Sequence, residues 1–546
     1  MEKDHSIKVA KFDDKNLFFE KTNKYINHVK FALPEVRVGS VIDVQYVTES
    51  PFLFQFYTWK FQDDIPKIYS EYWAEIPGNW IYNITLRGFQ KLNKNETEVV
   101  KDCFQLSSLE KSSCMLAKYA MENIPAFKEE KYMTAEENFI SAIYFELSEV
   151  IRFDGTKSKY AEEWKDVDNK LRQHENFGLQ IRRARNLMED VVKPLIEKEP
   201  DQVKKAQIIY EFIKHWYSWN GDYGIYCELE AKKAYEQRKA GVAEINLALV
   251  GALQAAELNA DPLLISTRDH GLPIKLHPQR SGFNYVAARL KIGDAEFLLD
   301  ATDDFLPFGV LPMRCLNDQG RIISKEESDW VNLNTKQKQK TVVSMDLKWL
   351  PDGKLKGTLT SQFVGYDALD ERKKINGKSP EENLKTLNKE LHDAEVTNFR
   401  VENQEDISKP LIEKMEIEMS GFDETGASTF YFNPFLIGRY EQNPFQSTER
   451  LYPVDFGAPV ESSYFVSIEI PEGNLLEEAP KSTAFGLPNN GGKCLVNAGV
   501  TGNKITLTCI ITLTKPIYTS EEYHYLKEFF ARVVQIQQSQ FVFKKK

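Results

Sequence analysis

The chain of 546 residues is longer than one hydrophobic core supports, and roughly 150 residues per domain suggests three or four units. Hydrophobic residues at 42%, aromatics at 12% and charged residues at 28% describe an ordered protein rather than a disordered or collagen-like one. A net charge of −11, with no basic cluster beyond Lys544-Lys545-Lys546, lacks the electrostatic footprint of a nucleic-acid binder, and no run of about 18 apolar residues offers a membrane-spanning helix.

Residues 28 to 105 read as strands. Phe31-Ala32-Leu33-Pro34 and Gly39-Ser40 frame apolar alternation through Val41-Ile42-Asp43-Val44-Gln45-Tyr46-Val47, and aromatic-rich segments follow. The first strand comes so soon after Met1 that a sheet of ordinary size implies partners further upstream, as in a fragment, and Met1-Glu2-Lys3-Asp4-His5 leads into no apolar signal core. From 115 to 190 the pattern turns charged and helix-periodic, broken at Pro125 and Gly155, with amphipathic turns at Ala161-Glu162-Glu163-Trp164 and Ile181-Arg182-Arg183-Ala184. A helix over 202–216, a Gly-rich turn at 220–224 and a strongly apolar helix over 243–258 come next. Strands are expected at 262–267, 283–292 and 295–302, the last two joined by the two-residue turn Gly293-Asp294. A helix on an antiparallel sheet is an α+β layer arrangement. The polar stretch 332–340, with Lys336, Lys338 and Lys340, reads as a linker, and the last third as mostly β, with one helical insertion near 379–394. No repeat of fixed period is present, which argues against a solenoid or propeller.

Six cysteines (103, 114, 227, 315, 494 and 509) form neither a disulfide framework nor a Cys-x-x-Cys metal pattern. A bridge between Cys494 and Cys509, or between Cys103 and Cys114, is open to the chain, but buried free thiols are the expectation. His270 and His277, beside Asp269, match no common zinc spacing and read as loop residues, so no metal is expected. The aromatic run Phe430-Tyr431-Phe432-Asn433-Pro434-Phe435, with Tyr440 and Phe445, reads as β-domain core rather than as a ligand platform.

A papain-type acyl-transfer site needs a thiolate at a helix start, where backbone N–H groups and the dipole lower its pKa, a histidine base and a carboxylate or amide to orient the ring. The helix opening at Ala240-Gly241-Val242-Ala243-Glu244-Ile245-Asn246 and the hairpin behind it supply that frame. With Gly293-Asp294 as the turn, residue 287 opposes 300, so Tyr285 and Asp300 are diagonal neighbours on one face.

Several stretches resemble a family of secreted Gram-negative proteins in which a β domain of unknown function precedes a transglutaminase-like domain and a second β domain. They include Phe31-Ala32-Leu33-Pro34, Asp64-Ile65-Pro66 with Tyr69-Ser70-Glu71-Tyr72, Trp219-Asn220-Gly221, Ala243-Glu244-Ile245-Asn246-Leu247 and Ser266-Thr267-Arg268-Asp269. Phe283-Asn284-Tyr285-Val286, Leu299-Asp300-Ala301-Thr302-Asp303, Leu311-Pro312 with Arg314-Cys315-Leu316-Asn317, and Tyr452-Pro453-Val454-Asp455-Phe456-Gly457 continue the resemblance over nearly the whole chain. It implies a multidomain α+β protein: a β-sandwich portion over 1–120, a papain/transglutaminase-like α+β core with a helical lead-in over 121–335 and a C-terminal β-rich domain over 341–546.

Catalytic members place Gly-x-Cys before the helix and a histidine about fifteen residues before the aspartate. Here Ala240, Val242 and Tyr285 stand at the glycine, cysteine and histidine positions, and only Asp300 matches. Valine has no nucleophile, a phenol with a pKa near 10 is a poor base at neutral pH, and loss of a triad member costs on the order of 10⁶ in turnover. Neither Cys227 nor Cys315 begins a helix beside a histidine. The expectation is therefore a degenerate triad (Val242, Tyr285, Asp300) in a non-catalytic envelope protein with a binding or scaffolding role. Trp219, Asn220, Tyr285 and Asp300 are the candidate ligand contacts, although a packed turn at Trp219-Asn220-Gly221 and a structural role for Asp300 are the plainer alternatives. No cofactor is expected; a peptide, protein or glycan is the expected partner, and the resemblance implies a periplasmic or cell-surface location. The rival reading is a cysteine-type hydrolase or acyl transferase acting on protein or peptidoglycan peptides.

Overall fold

The computed structural model describes residues 9–21, 27–50, 56, 58–105, 107, 110–160, 163–276, 278, 280–326, 328–350, 353–391, 394–420, 428–470 and 474–545. The chain divides into two compact units, 1–54 and 55–546. In the first, Leu17–Lys21 (β1) and Asn27–Phe31 (β2) pair antiparallel, and Phe12 packs edge-on against Phe31. Val41–Val47, expected as a strand, has no strand structure; Val41 and Val47 are exposed. Alternating apolar residues make a strand only where an edge accepts their backbone hydrogen bonds.

The second unit opens with two sheets around one core. Trp59–Lys60 (β3), Trp80–Arg87 (β5), Ala142–Ile151 (β8) and Lys157–Lys159 (β9) form one, and Lys67–Pro77 (β4), Lys94–Gln105 (β6) and Lys111–Ile124 (β7) the other. Phe61, Ile76, Tyr119, Met121, Ile143 and Phe145 from both sheets meet in that core. The helical pattern expected from residue 115 is thus wrong for β7 and β8; among the described residues α-helix begins at Trp164, after a single 3-10 turn at Glu136–Asn138. Charges such as Lys118, which look like helix-surface spacing, instead meet a partner across the ladder, Lys118 Nζ lying 2.7 Å from Glu98 Oε1. A bulge between Val100 and Phe104 carries Cys103 to Cys114, and the two form a disulfide rather than the free thiols expected. The remaining four cysteines are free and buried.

The central region is helical, then sheet. Its helices are Trp164–Gln173 (α1), Gly178–Ile196 (α2), Gln202–Trp216 (α3), Ala231–Gln237 (α4) and Val242–Ala255 (α5). Asp201 caps α3 by accepting from the Lys204 N–H at 2.9 Å. Two short strands, Ser218–Trp219 (β10) and Lys239–Ala240 (β11), pair in parallel beside the start of α5. Asn259–Ile265 (β12), Tyr285–Ile292 (β13), Ala295–Leu299 (β14), Gln319–Ile322 (β15) and Trp330–Asn332 (β16) form an antiparallel sheet of order β14-β13-β12-β15-β16. Thirteen of the fourteen α5 residues are buried, which makes it the core of the layer rather than an amphipathic surface helix. Gly251 lets α5 lie against α2, since a Cβ there would fall 2.8 Å from Ala184 Cβ.

The C-terminal region is built on an eight-stranded sheet. Gln339–Trp349 (β17), Leu355–Gly365 (β18), Glu395–Glu402 (β19) and Leu411–Met419 (β20) make one half. Beyond Thr429–Phe432 (β21) and Val454–Asp455 (β22), Val460–Glu469 (β23) pairs in parallel with β17. After Asn474–Glu478 (β24), Thr483–Gly486 (β25), Gly492–Thr501 (β26) and Lys504–Leu513 (β27) complete the order β19-β20-β18-β17-β23-β27-β26-β25. Ile517–Tyr518 (β28) pairs with β22, and Phe541–Lys545 (β29) joins β21 to β24. Besides the expected insertion, Pro380–Glu390 (α7), two further helices occur among the described residues, Tyr366–Ile375 (α6) and Tyr523–Gln537 (α8). The buried residues of α8, Tyr523, Leu526, Phe529, Phe530, Val533 and Gln537, follow the three- and four-residue spacing of one helix face. The sequence is therefore multidomain α+β, mostly β, with separate main cores in the N-terminal, central and C-terminal regions. The central and C-terminal regions are joined by Arg268, whose guanidinium meets Asp455 Oδ1 at 2.9 Å and Asp455 O at 2.8 Å.

Candidate functional site

The start of α5 carries Val242, the position at which the sequence resemblance looks for a nucleophile. Gly241 is the N-cap and Val242 the first helical residue, 1% exposed, its N–H donating to Asp222 O at 3.2 Å. The Trp219 indole donates to that same carbonyl at 3.1 Å, so the 219–223 loop is drawn over the helix start. Asn220 closes the loop on itself: its Nδ2 donates to Asp222 Oδ2 at 2.8 Å and its Oδ1 accepts from the Asp222 N–H at 2.9 Å. Glu244, in the first turn, accepts from the backbone N–H groups of Glu228 and Leu229 at 2.6 and 3.0 Å.

Behind the helix, Ile292 pairs with Ala295 across the Gly293-Asp294 turn, the register that aligns Tyr285 with Asp300. Both are fully buried, and the Tyr285 hydroxyl donates to Asp300 Oδ2 at 2.6 Å. Asp300 Oδ1 also accepts from the Thr302 N–H at 2.9 Å and the Thr302 hydroxyl at 2.5 Å. Asn246, one turn into α5, donates to Val286 O at 2.9 Å and accepts from the Ala301 N–H at 2.9 Å, locking the helix to the hairpin.

The remaining side of the cluster is filled by Arg314. Its Nη2 donates to the Tyr285 hydroxyl at 2.9 Å and to Thr302 Oγ1 at 2.6 Å, while the guanidinium lies 4.5 Å from the Trp219 ring centroid. Tyr223 packs on Trp219 and Tyr285, with centroids at 5.5 and 5.8 Å. Burial pushes the Tyr285 phenol well above its ordinary range and the Asp300 charge adds to this, so Tyr285 is a donor and not a base. Burial likewise raises the neighbouring Cys315 thiol, with Asp300 adding to it, so the sulfur carries no thiolate character. For Arg314, burial opposes the charge, yet Tyr285 and Asp300 outweigh it and the net shift is upward.

Among the described residues no histidine nitrogen bonds to Tyr285 or Asp300; His270 pairs instead with Ser266 Oγ at 2.9 Å. His277 lies outside the described residues. Cys227 is buried beside Glu244, and burial first, then that charge, raises its thiol pKa. Of the four candidate ligand contacts, Tyr285 and Asp300 are enclosed beneath Arg314, Trp219 is half-buried and Asn220 exposed. Arg314, Thr302 and Tyr223, which no sequence spacing marks as site residues, complete the cluster. Among the described residues, the three metal-type side chains that cluster, Glu75, Cys103 and Cys114, include both halves of the disulfide.

Comparison with known proteins adds three findings. Residues 428–543 match a domain of unknown function with solved structure, DUF3858. The crystal structure of "a putative protease from Parabacteroides distasonis" is similar at 12% identity and a TM-score of 0.48, over 89% of this chain and 74% of that one. That of "a putative cysteine protease from Cytophaga hutchinsonii" is similar at 12% identity and a TM-score of 0.19, over 51% of this chain and 88% of that one. No curated protein matches the chain.

Proposed function

We propose that the chain is a non-catalytic, transglutaminase-like protein of the bacterial cell envelope, with a binding or scaffolding role toward a peptide, protein or glycan. The observation that carries this reading is the Tyr285–Asp300 pair capped by Arg314 beside a helix that begins with Val242. Acyl transfer needs a nucleophile at the helix start and a base that alternately takes and gives a proton. Here an aliphatic side chain occupies the first position, and a phenol whose proton is held by Asp300 the second. An envelope location is supported by the Cys103–Cys114 disulfide, which persists in oxidising compartments. No helix among the described residues is long and apolar enough to cross a membrane.

The test is an amidase and transamidase assay on the full chain, with casein and peptidoglycan peptides as acyl donors, run with and without iodoacetamide. Turnover at the blank rate is expected. Iodoacetamide-sensitive turnover would establish the cysteine-enzyme reading instead.

A further inference from the structure

A cavity of about 430 Å³ lies in the C-terminal region on one face of the eight-stranded sheet, bordered by α6, α7 and the turn at 436–441. Its floor includes a cross-strand pair: Ser361 on β18 stands directly opposite Glu413 on β20. Ser361 is 1% exposed, and its hydroxyl has no hydrogen-bond partner among the described residues. Glu413 is 3% exposed, with the Lys374 ammonium as the nearby cation that acts on its carboxyl. Buried polar groups are ordinarily satisfied, so an unpartnered hydroxyl directly opposite a buried carboxyl marks a place for an outside donor.

The charges around the cavity select its sign. Lys374 is shared between Glu371 and Glu390, each at 3.4 Å, and Arg439 is taken by Glu441 at 2.7 Å. Four carboxylates thus face two cations, and Glu413 is the acid left over. Phe363, Leu387, Leu391 and Leu436 supply apolar wall beside this acidic end. We propose that the cavity binds an alkylammonium ion, whose head donates hydrogen bonds to the Glu413 carboxylate and the Ser361 hydroxyl while its aliphatic stem lies along Phe363 and Leu387. An anion would meet uncompensated carboxylates, and a neutral alkyl group would leave the Ser361 hydroxyl without a partner.

Protonation supports this arrangement. Burial, helped by Glu371 and Glu390 and opposed by Lys374, pushes the Glu413 carboxyl up to about 8. The other titratable groups facing the cavity are Arg439 and Glu441 on the turn and Tyr464 on β23, whose phenol burial keeps protonated. The empty site therefore holds a proton on Glu413 at neutral pH, and an entering ammonium ion displaces it. Affinity should rise about tenfold per pH unit below pH 8 and level off above it.

The experiment is calorimetric titration of the full chain at pH 6, 7, 8 and 8.5 with 1,5-diaminopentane and with Nα-acetyl-lysine methylamide, using 1-pentanol and glutarate as controls. An amine should bind with release of one proton at pH 6 to 7, and the controls should not bind. Binding of the diamine alone assigns a free small amine; binding of the lysine derivative assigns a peptide-borne one. Glu413→Gln should weaken binding at least tenfold at pH 8 and abolish its pH slope, while Ser361→Ala should weaken it severalfold and keep the slope. Thermal melting of each variant separates lost binding from lost folding, and Ser361→Ala, a small deletion, keeps the test intact should Glu413→Gln misfold. Absence of amine binding, equal binding of pentanol, or unchanged binding in a folded Glu413→Gln variant each overturns the proposal.

Discussion

Replacing Arg314 with methionine keeps the length of the side chain and deletes its charge, which isolates what the guanidinium does for the buried cluster. In the wild type it donates to the Tyr285 hydroxyl at 2.9 Å and to Thr302 Oγ1 at 2.6 Å, and it is the cation beside the fully buried Asp300. The substitution removes two hydrogen bonds from a charged donor, each contributing about 1.5–3 kcal/mol. Asp300 retains three strong donors from Tyr285 and Thr302, which places Arg314→Met near the lower limit, about 3 kcal/mol. Asp300→Asn alone should cost a similar amount, because it strands the guanidinium. The double variant should fall short of the sum by about 2 kcal/mol, the coupling returned when both charges leave together. Urea unfolding followed by circular dichroism and tryptophan fluorescence measures this, coincident transitions justifying the free-energy comparison. A neutral Arg314→Met, or single costs that add to within about 0.5 kcal/mol, would mean that Arg314 is not the counter-charge and that the cluster lies open to solvent.

Two further outcomes follow from the covalent and ionisable groups. Thiol titration of the denatured, unreduced chain should count the four free cysteines 227, 315, 494 and 509, and two more after reduction; Cys103→Ser with Cys114→Ser should destabilise the N-terminal β region by about 3 kcal/mol, the cost of opening a short loop. The Glu413 carboxyl has its pKa raised from 4.5 to about 8, so its protonated form stabilises the fold fully below pH 4.5, and that stability is lost as pH rises toward 8. Glu413→Gln should therefore be near neutral at pH 4.5 and stabilising by roughly 3 kcal/mol at pH 7; a difference in melting temperature that does not change with pH would refute this.

What could be read from the sequence divides along physical lines. Helix α3 over Gln202–Trp216 is legible because Asp201 caps it and its apolar spacing is strong, and the β13–β14 hairpin because Gly293 adopts φ +59° in a two-residue turn. Those same features put Tyr285 and Asp300 on one face. By contrast, β7 and β8 resemble helix in sequence, since charges three or four residues apart satisfy both a helix surface and a cross-strand ladder. Helix α6 follows β18 directly through Gly365, at φ +64°, and carries Arg372, Lys373 and Lys374 in its last turn, so no loop-like stretch announces the change of period. The Cys103–Cys114 bridge, open in the sequence but ranked below free thiols, depends on a bulge between Val100 and Phe104 that brings Cys103 within reach of Cys114 and leaves no periodic trace. Arg314 and Thr302 come from irregular segments after β14, where only tertiary packing decides which side chain meets Tyr285.

The two polar clusters argue in opposite directions, and the contrast locates where recognition belongs. Around Tyr285 the phenol, the carboxylate, the hydroxyl of Thr302 and the guanidinium satisfy one another, and the aromatic rings of Trp219 and Tyr223 close over them. A ligand entering there would have to break charge-assisted bonds before making any, so the cluster behaves as a latch between α5 and the hairpin. At Ser361, opposite the buried Glu413, the chain already bears the cost of burying a hydroxyl without a protein partner, and a cation that completes it gains without first displacing a protein group. Binding energy is most readily gained where desolvation has been carried by folding in advance, which favours the C-terminal cavity over the cluster at the start of α5 as the ligand site of this chain.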